Sequence, residues 1–151
     1  MKNVISRGFI LVIVLSVVYS CSCGFWGDND LGDNFSLLEG DKIADRVIVY
    51  CTERSGRCCH SGIPVIPSRT DSLTRYVINA YSDKNWIIAK TKQTNEMINF
   101  WIIDKNLNEK FEYDDGGKFY ETIQSHIIGP LNEIEFNKQL EKRNINLKFK
   151  H

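Results

Sequence analysis

From Phe35 onward, hydrophobic positions fall in short β-branched or aromatic runs separated by polar residues, which is the pattern of β-strands. Phe35–Leu38 and Val47–Thr52 are the first two runs, and Glu39, Gly40 and Asp41 between them are typical of a turn. Three more runs follow at a spacing of about ten residues, as in an antiparallel meander. They span 76–81, 86–92 and 97–104, with polar turns at 82–85 and 93–96.

The run 97–104 is apolar on both faces of the predicted strand. Side chains alternate along a strand, so Ile98, Phe100 and Ile102 share one face. Met97, Trp101 and Ile103 occupy the other face. A strand with two apolar faces is covered on both sides, so we predict a central position for it and core roles for Trp86 and Trp101.

Residues 53–70 break this pattern. Pro64 and Pro67 lack the N–H that a central strand needs. We therefore predict an irregular loop here, with a short edge strand at Val65 and Ile66.

The C-terminal third predicts a helix with a well-marked start. Asn132 can cap the helix, Glu135 completes a capping box, and Leu131 can pack on Phe136 as a hydrophobic staple. Asn144 is a candidate left-handed residue at its end. The stretch 118–125 predicts a second short helix, and the alternation in 145–149 predicts a last strand at the sheet edge.

These elements together predict an α+β fold. We expect one antiparallel meander sheet of five or six strands with one or two C-terminal helices packed on it. About 130 residues remain after the N-terminal segment is set aside, which suits a single domain.

The N-terminal segment is typical of an export signal. Lys2 and Arg7 precede the apolar run Phe9–Val18, and no acidic residue lies before Cys21. A run of this length is too short for a membrane-spanning helix, which needs about 20 residues. We therefore expect residues 1–20 to be a signal peptide that is removed.

Val18, Tyr19, Ser20 and Cys21 resemble the lipobox of bacterial lipoproteins, although Tyr19 is bulkier than the usual residue there. The resemblance implies acylation of Cys21, and a cell-envelope location at the outer membrane or the outer face of the plasma membrane. An ordinary signal peptide cut near Ser20 is the alternative. We expect residues 21–34 to be a flexible tether and 35–151 the globular domain.

The charge balance argues against nucleic acid as a partner. The chain has 19 basic and 19 acidic residues, and loss of Lys2 and Arg7 leaves a mature net charge near −2. Binding to a nucleic acid requires a basic excess on one face, so we expect no nucleic-acid partner. We expect the membrane as a partner through the lipid on Cys21, and a protein of the envelope as a further one.

Three sequence motifs in the domain form a second resemblance. They are 85–90 (NWIIAK), 99–105 (NFWIIDK), and 129–131 (GPL) leading into Glu135 and Phe136. With the lipobox, they resemble a family of small bacterial lipoproteins that share a domain of unknown function. The resemblance implies export and an α+β scaffold, and it implies no catalytic residue or cofactor.

Cys51, Cys58 and Cys59 are the most suggestive side chains of the domain, because exported cysteines are commonly oxidised. We predict a disulfide bond from Cys51 to Cys58 or Cys59, with reduced buried thiols as the alternative.

Other chemistry finds little support in residue spacing. Adjacent cysteines beside His60 do not converge as zinc ligands do, and no spacing supports a cysteine nucleophile with His60 or His126. The acidic residues Asp28, Asp30 and Asp33 lack the pattern of a calcium loop. We therefore predict no catalytic, metal or cofactor site.

Three functions remain open at this stage. A non-catalytic, lipid-anchored binding or envelope domain is the leading hypothesis. An immunity or inhibitor lipoprotein is one alternative. A small enzyme with a site assembled from distant residues is the other.

Overall fold

The computed structural model of the protein describes residues 28–56, 58–68, 74–107 and 117–150. These residues form two antiparallel sheets of four strands each and two helices, so the α+β class is confirmed. The eight strands of the described residues exceed the five or six expected, and they form two sheets rather than one. The lipobox and Cys21 lie outside the described residues.

The first sheet contains four strands in sequence order. They are β1 (Asp28–Gly32), β2 (Phe35–Leu38), β3 (Val47–Ser55) and β4 (Cys58–Ile66), and a short 3-10 turn, Ile43–Asp45, precedes β3. Two of these strands correct the sequence analysis. Residues 28–32, which were expected in the tether, form β1 instead, which pairs with β2 and buries Leu31. The expected loop contains β4, where Pro64 is tolerated because β4 is an edge strand.

The second sheet is the predicted meander with one added strand. It contains β5 (Arg75–Ser82), β6 (Trp86–Gln93), β7 (Ile98–Asp104) and β8 (Ile127–Leu131), in that order. The central position of β7 is confirmed, since it pairs with β6 and β8, and four of its residues in a row are buried. The edge of this sheet beside β7 is formed by β8 rather than by residues 145–149, for which the sequence predicts an edge strand.

Two helices follow the meander. Helix α1 spans Gly117–Ser125 and α2 spans Glu133–Lys142, close to the predicted limits. The capping box is confirmed, because the Asn132 side chain accepts from Glu135 N at 2.9 Å and the Glu135 carboxylate accepts from Asn132 N at 3.3 Å. Asn144 adopts a positive φ of 54° after the helix, as expected of a left-handed end residue.

The hydrophobic core has two parts, one on each face of the second sheet. The larger part lies between the two sheets and includes Ile123 of α1. The smaller part lies between the second sheet and α2. Residues 145–150, which we call the C-terminal segment, form no strand. The prediction of a last strand there was wrong: Ile145, Leu147 and Phe149 cover the sheet face beside α2.

Candidate functional site

The β3–β4 hairpin brings together the domain cysteines. Its ladder shifts register between Cys51 and Glu53 and again before Arg54, so β3 is irregular near its end. Cys51 and Cys59 form a disulfide bond with a Cα–Cα distance of 5.5 Å. Neighbouring residues of a strand point to opposite faces, so Cys58 points away from Cys51. The pairing left open by the sequence is thus made with Cys59.

Arg54 lies beside this disulfide and connects the hairpin to β1 and β2. Its guanidinium forms an ion pair with Asp30 at 2.9 Å and donates to Ser36 Oγ at 2.9 Å. It also lies 3.6 Å from the Cys51 sulfur. These contacts use the positive charge within the fold, so Arg54 stabilises the packing of the hairpin rather than forming an open anion site.

The histidines and cysteines form no metal or nucleophile site in the described part of the chain. Cys58 and Cys59 are both disulfide-bonded. A metal ligand or nucleophile must be a thiolate, which an oxidised cysteine cannot supply. His60 is exposed on β4, and His126 follows α1. Within the described residues, no three His, Cys, Asp or Glu side chains form a group that could hold a metal ion.

A groove between α2 and the C-terminal segment is the second candidate site. Its volume is about 800 Å³. Its apolar lining includes Phe100 of β7, Phe136 of α2 and Phe149 of the C-terminal segment. The Phe100 and Phe136 rings stack with centroids 4.9 Å apart, and those of Phe136 and Phe149 lie 5.8 Å apart. The polar lining comes from exposed positions, namely Glu133, Asn137, Glu141, Asn144, Asn146 and Lys148.

The backbone of the C-terminal segment is open along this groove. Ile145 N donates to Leu140 O at 2.9 Å, which ends the helix. Residues 146–150 make no backbone hydrogen bond to the described part of the protein. Unpaired N–H and C=O groups of an extended segment can pair with an added strand. The groove therefore combines apolar side-chain contacts with a stretch of backbone that makes no hydrogen bond to the described residues.

The sequence predicts a central strand for Phe100, a helix for Phe136 and an edge strand for Phe149, and it gives no sign of the groove. Phe100, Phe136 and Phe149 belong to three elements, and nothing in a linear pattern shows that they meet. The alternation of Ile145, Leu147 and Phe149 with polar residues was the available signal. This alternation predicts a strand at a sheet edge, but a segment lying flat on a sheet face has the same alternation.

Lys92 has a shifted pKa and lies apart from both candidate sites. The pKa of Lys92 is raised by a hydrogen bond to Glu96, with burial opposing the shift and the charge of Glu96 supporting it. The pair brackets the exposed turn between β6 and β7. It supports that turn and takes no part in the groove or the hairpin.

Comparison with known proteins identifies no family for this chain. No family model matches it, and no curated protein or solved structure is similar to it. The fold is that of an α+β domain with a disulfide-bonded hairpin and an apolar groove. None of the helices in its described ranges has the length and apolar character needed to cross a bilayer.

Proposed function

We propose that this protein is an extracytoplasmic bacterial lipoprotein, anchored through Cys21, whose domain binds an envelope protein without catalysis. The anchor rests on the sequence before Cys21, with its basic start, its apolar run and its lipobox. The Cys51–Cys59 disulfide supports an oxidising compartment, because such bonds persist in exported proteins and are rare in the cytosol.

The binding role rests on the groove beside α2. Residues 146–150 make no backbone hydrogen bond to the described part of the chain, and they lie beside the stacked rings of Phe100 and Phe136. This arrangement suits an extended apolar peptide that adds a strand to the C-terminal segment and inserts alternate side chains into the groove. The rim carries both charges, from Glu133, Glu141 and Lys148, which favours a peptide over an anionic surface.

A matched pair of variants on α2 tests the binding role. Asn137 lines the groove from an exposed helix position, so Asn137→Trp fills the groove without disturbing the core. Lys138 is exposed on the same helix and does not line the groove, so Lys138→Trp is the control. A photo-crosslinker at position 148, in protein purified from detergent-solubilised membranes, should capture a partner that mass spectrometry identifies. Capture should be lost in Asn137→Trp and kept in Lys138→Trp. Equal capture by both variants would exclude the groove as the binding surface.

The anchor is tested separately. Mass spectrometry of the purified mature N-terminus should show Cys21 as the first residue, bearing diacylglycerol. Cys21→Ser should move the protein from the membrane fraction to the soluble fraction or leave the signal peptide uncleaved. A soluble wild-type protein with an unmodified N-terminal thiol would overturn the proposed localisation.

A further inference from the structure

The Cys51–Cys59 disulfide joins two sulfurs that differ in exposure. Cys51 is only 3% exposed and is the last buried residue of β3. Cys59 is half-buried on the edge strand β4, where exposed residues follow it. A thiolate that approaches from solvent therefore reaches the Cys59 sulfur more easily than the Cys51 sulfur.

The irregular end of β3 places a cation beside the buried sulfur. Residues three apart in a regular strand point to opposite faces. The register shift between Cys51 and Glu53 adds a residue to β3, which brings Arg54 to the same face as Cys51. The Arg54 Nη2 atom lies 3.6 Å from the Cys51 sulfur and donates to Ser36 Oγ at 2.9 Å, which holds the guanidinium in place.

We propose that the Cys51–Cys59 bond is a thiol–disulfide exchange site, attacked at Cys59 by an external dithiol, with Cys51 leaving as a thiolate that Arg54 stabilises. The first thiolate of the dithiol bonds to the Cys59 sulfur, and the electron pair of the breaking bond stays on Cys51. The second thiolate attacks the dithiol sulfur bound to Cys59 and releases Cys59. The dithiol is oxidised to a disulfide, and the two protons that it loses to water balance those that the cysteines take up.

The contact with Arg54 acts on the leaving sulfur. A disulfide sulfur is a weak acceptor, whereas a thiolate carries a full negative charge and accepts a charge-assisted hydrogen bond. The contact therefore becomes stronger as the bond breaks, which lowers the barrier to exchange. Asp30 pairs with the other terminal nitrogen, Nη1, so Nη2 remains directed at the sulfur and at its neighbours in β2.

Reduction of this bond would loosen one end of the β3–β4 hairpin. The ladder changes register twice between Cys51 and Arg54. The edge strand β4 pairs only with β3 in the described sheet. The bond therefore holds the irregular end of the hairpin together, and its reduction should free residues 58–62 while the rest of the first sheet stays paired. This exchange depends on the hairpin and is independent of the groove.

The attacked sulfur can be identified in the full chain carrying Cys58→Ala, which keeps the Cys51–Cys59 bond. Free thiols are alkylated first, the folded protein is treated briefly with reduced glutathione, and new thiols are alkylated with a second reagent of different mass. Trypsin places Cys51 in peptide 47–54 and Cys59 in peptide 58–69. We expect glutathione on peptide 58–69 and the second reagent on peptide 47–54. Glutathione on peptide 47–54 in equal or greater amount, or no reaction until the protein is unfolded, would overturn the proposal.

The role of Arg54 is tested by Arg54→Met, with Arg46→Met as the matched control. Arg46 is also ion-paired, with Glu39 at 3.0 Å, but it precedes β3 and lies at the opposite end of that strand from Arg54. We expect Arg54→Met to lower the rate constant for glutathione about tenfold, through loss of one charge-assisted hydrogen bond to the leaving thiolate. Arg46→Met should leave this rate constant unchanged.

The sign of the effect separates this role from a structural one. If Arg54 only packed the hairpin, Arg54→Met would loosen the hairpin and make exchange faster. A faster or unchanged rate in Arg54→Met, or an equal slowing in Arg46→Met, would overturn the role of Arg54. The position of attack is measured with Arg54 intact, so it decides the proposal even if Arg54→Met does not fold.

Discussion

At the scale of single residues, Lys105 is the side chain that most directly joins the two sheets. Its ammonium donates to Leu31 O at 2.9 Å in β1 of the first sheet and to Asp83 O at 2.8 Å in the turn between β5 and β6 of the second. Asp33 supplies a carboxylate at 3.1 Å. The residue is only 7% exposed. A buried charge is tolerated when its protons are paired in this way.

We predict that Lys105→Met lowers the free energy of unfolding by about 3 kcal/mol, because it leaves buried carbonyls without donors. Urea unfolding followed by tryptophan fluorescence measures the loss. Lys138→Met is the matched control, since Lys138 is exposed on α2, and its unfolding midpoint should stay that of the wild type. Equal midpoints for the two variants would show that the Lys105 contacts carry no net stability.

Sequence alone could not have found this role. The pattern around Lys105 shows the end of a strand, whereas its partner Leu31 lies 74 positions away, in a stretch rich in glycine and acids. The same long separation concealed β1, whose one large apolar residue gives no period. Contacts of this kind depend on how sheets stack, which local patterning does not encode.

At the scale of elements, predictions succeeded where the determinants are local. The start of α2 depends on Asn132 and Glu135, three residues apart, and both capping contacts are present. The three meander strands depend on alternation and on the turns between them. The prediction for the C-terminal segment was wrong, because an alternation of apolar and polar residues fits both a strand at a sheet edge and a segment that lies on a sheet face.

We predict that Asn132→Ala lowers the free energy of unfolding by about 1 kcal/mol, through loss of the side-chain acceptor for Glu135 N. Asn137→Ala changes the same residue type in the middle of the helix. Because alanine is the better helix former, that variant should be no less stable than the wild type. Thermal unfolding by circular dichroism separates them. A cap variant as stable as the mid-helix variant would argue against the capping box.

The hairpin gives a second prediction at this scale. The Cys51–Cys59 bond closes a short loop with a sequence separation of eight residues. Replacing both cysteines by alanine should cost about 2 to 3 kcal/mol, because the unfolded chain gains the freedom of that loop. Denaturant unfolding of the double variant measures this cost. The variant Cys58→Ala keeps the Cys51–Cys59 bond and is the control, and an equal cost in both variants would place the stabilisation elsewhere.

At the scale of the whole molecule, the second sheet separates the two parts of the hydrophobic core. One face packs against the first sheet and α1, and the other packs against α2 and the C-terminal segment. Trp101 and Ile103 point into the first cluster, while Phe100 and Ile102 point into the second. The two apolar faces of β7 predicted from the sequence that this sheet is covered on both sides. The layers on either side could not be assigned, because they come from strands and a segment distant in the chain.

The N-terminal limit of the domain is the feature of the whole molecule most open to test. The sequence places it at residue 35, whereas β1 brings residues 28–32 into the first sheet. Compared with a chain that starts at Asp28, one that starts at Phe35 loses the burial of Leu31 and two partners of Lys105. It also exposes β2 as a new edge. We predict a loss of about 4 kcal/mol, from burial of one leucine and from unpaired buried groups.

Urea unfolding of the two purified truncations, with the Cys51–Cys59 bond verified in each, compares them directly. Both retain the Cys51–Cys59 bond, so the difference between their midpoints measures the contribution of residues 28–34. The chain from Asp28 should unfold cooperatively at a clearly higher urea concentration, because β1 closes the first sheet and supplies the Leu31 carbonyl to Lys105. Equal midpoints would show that residues 28–34 add no stability, as expected of a tether. They would also show that the Lys105 contacts with these residues do not stabilise the fold.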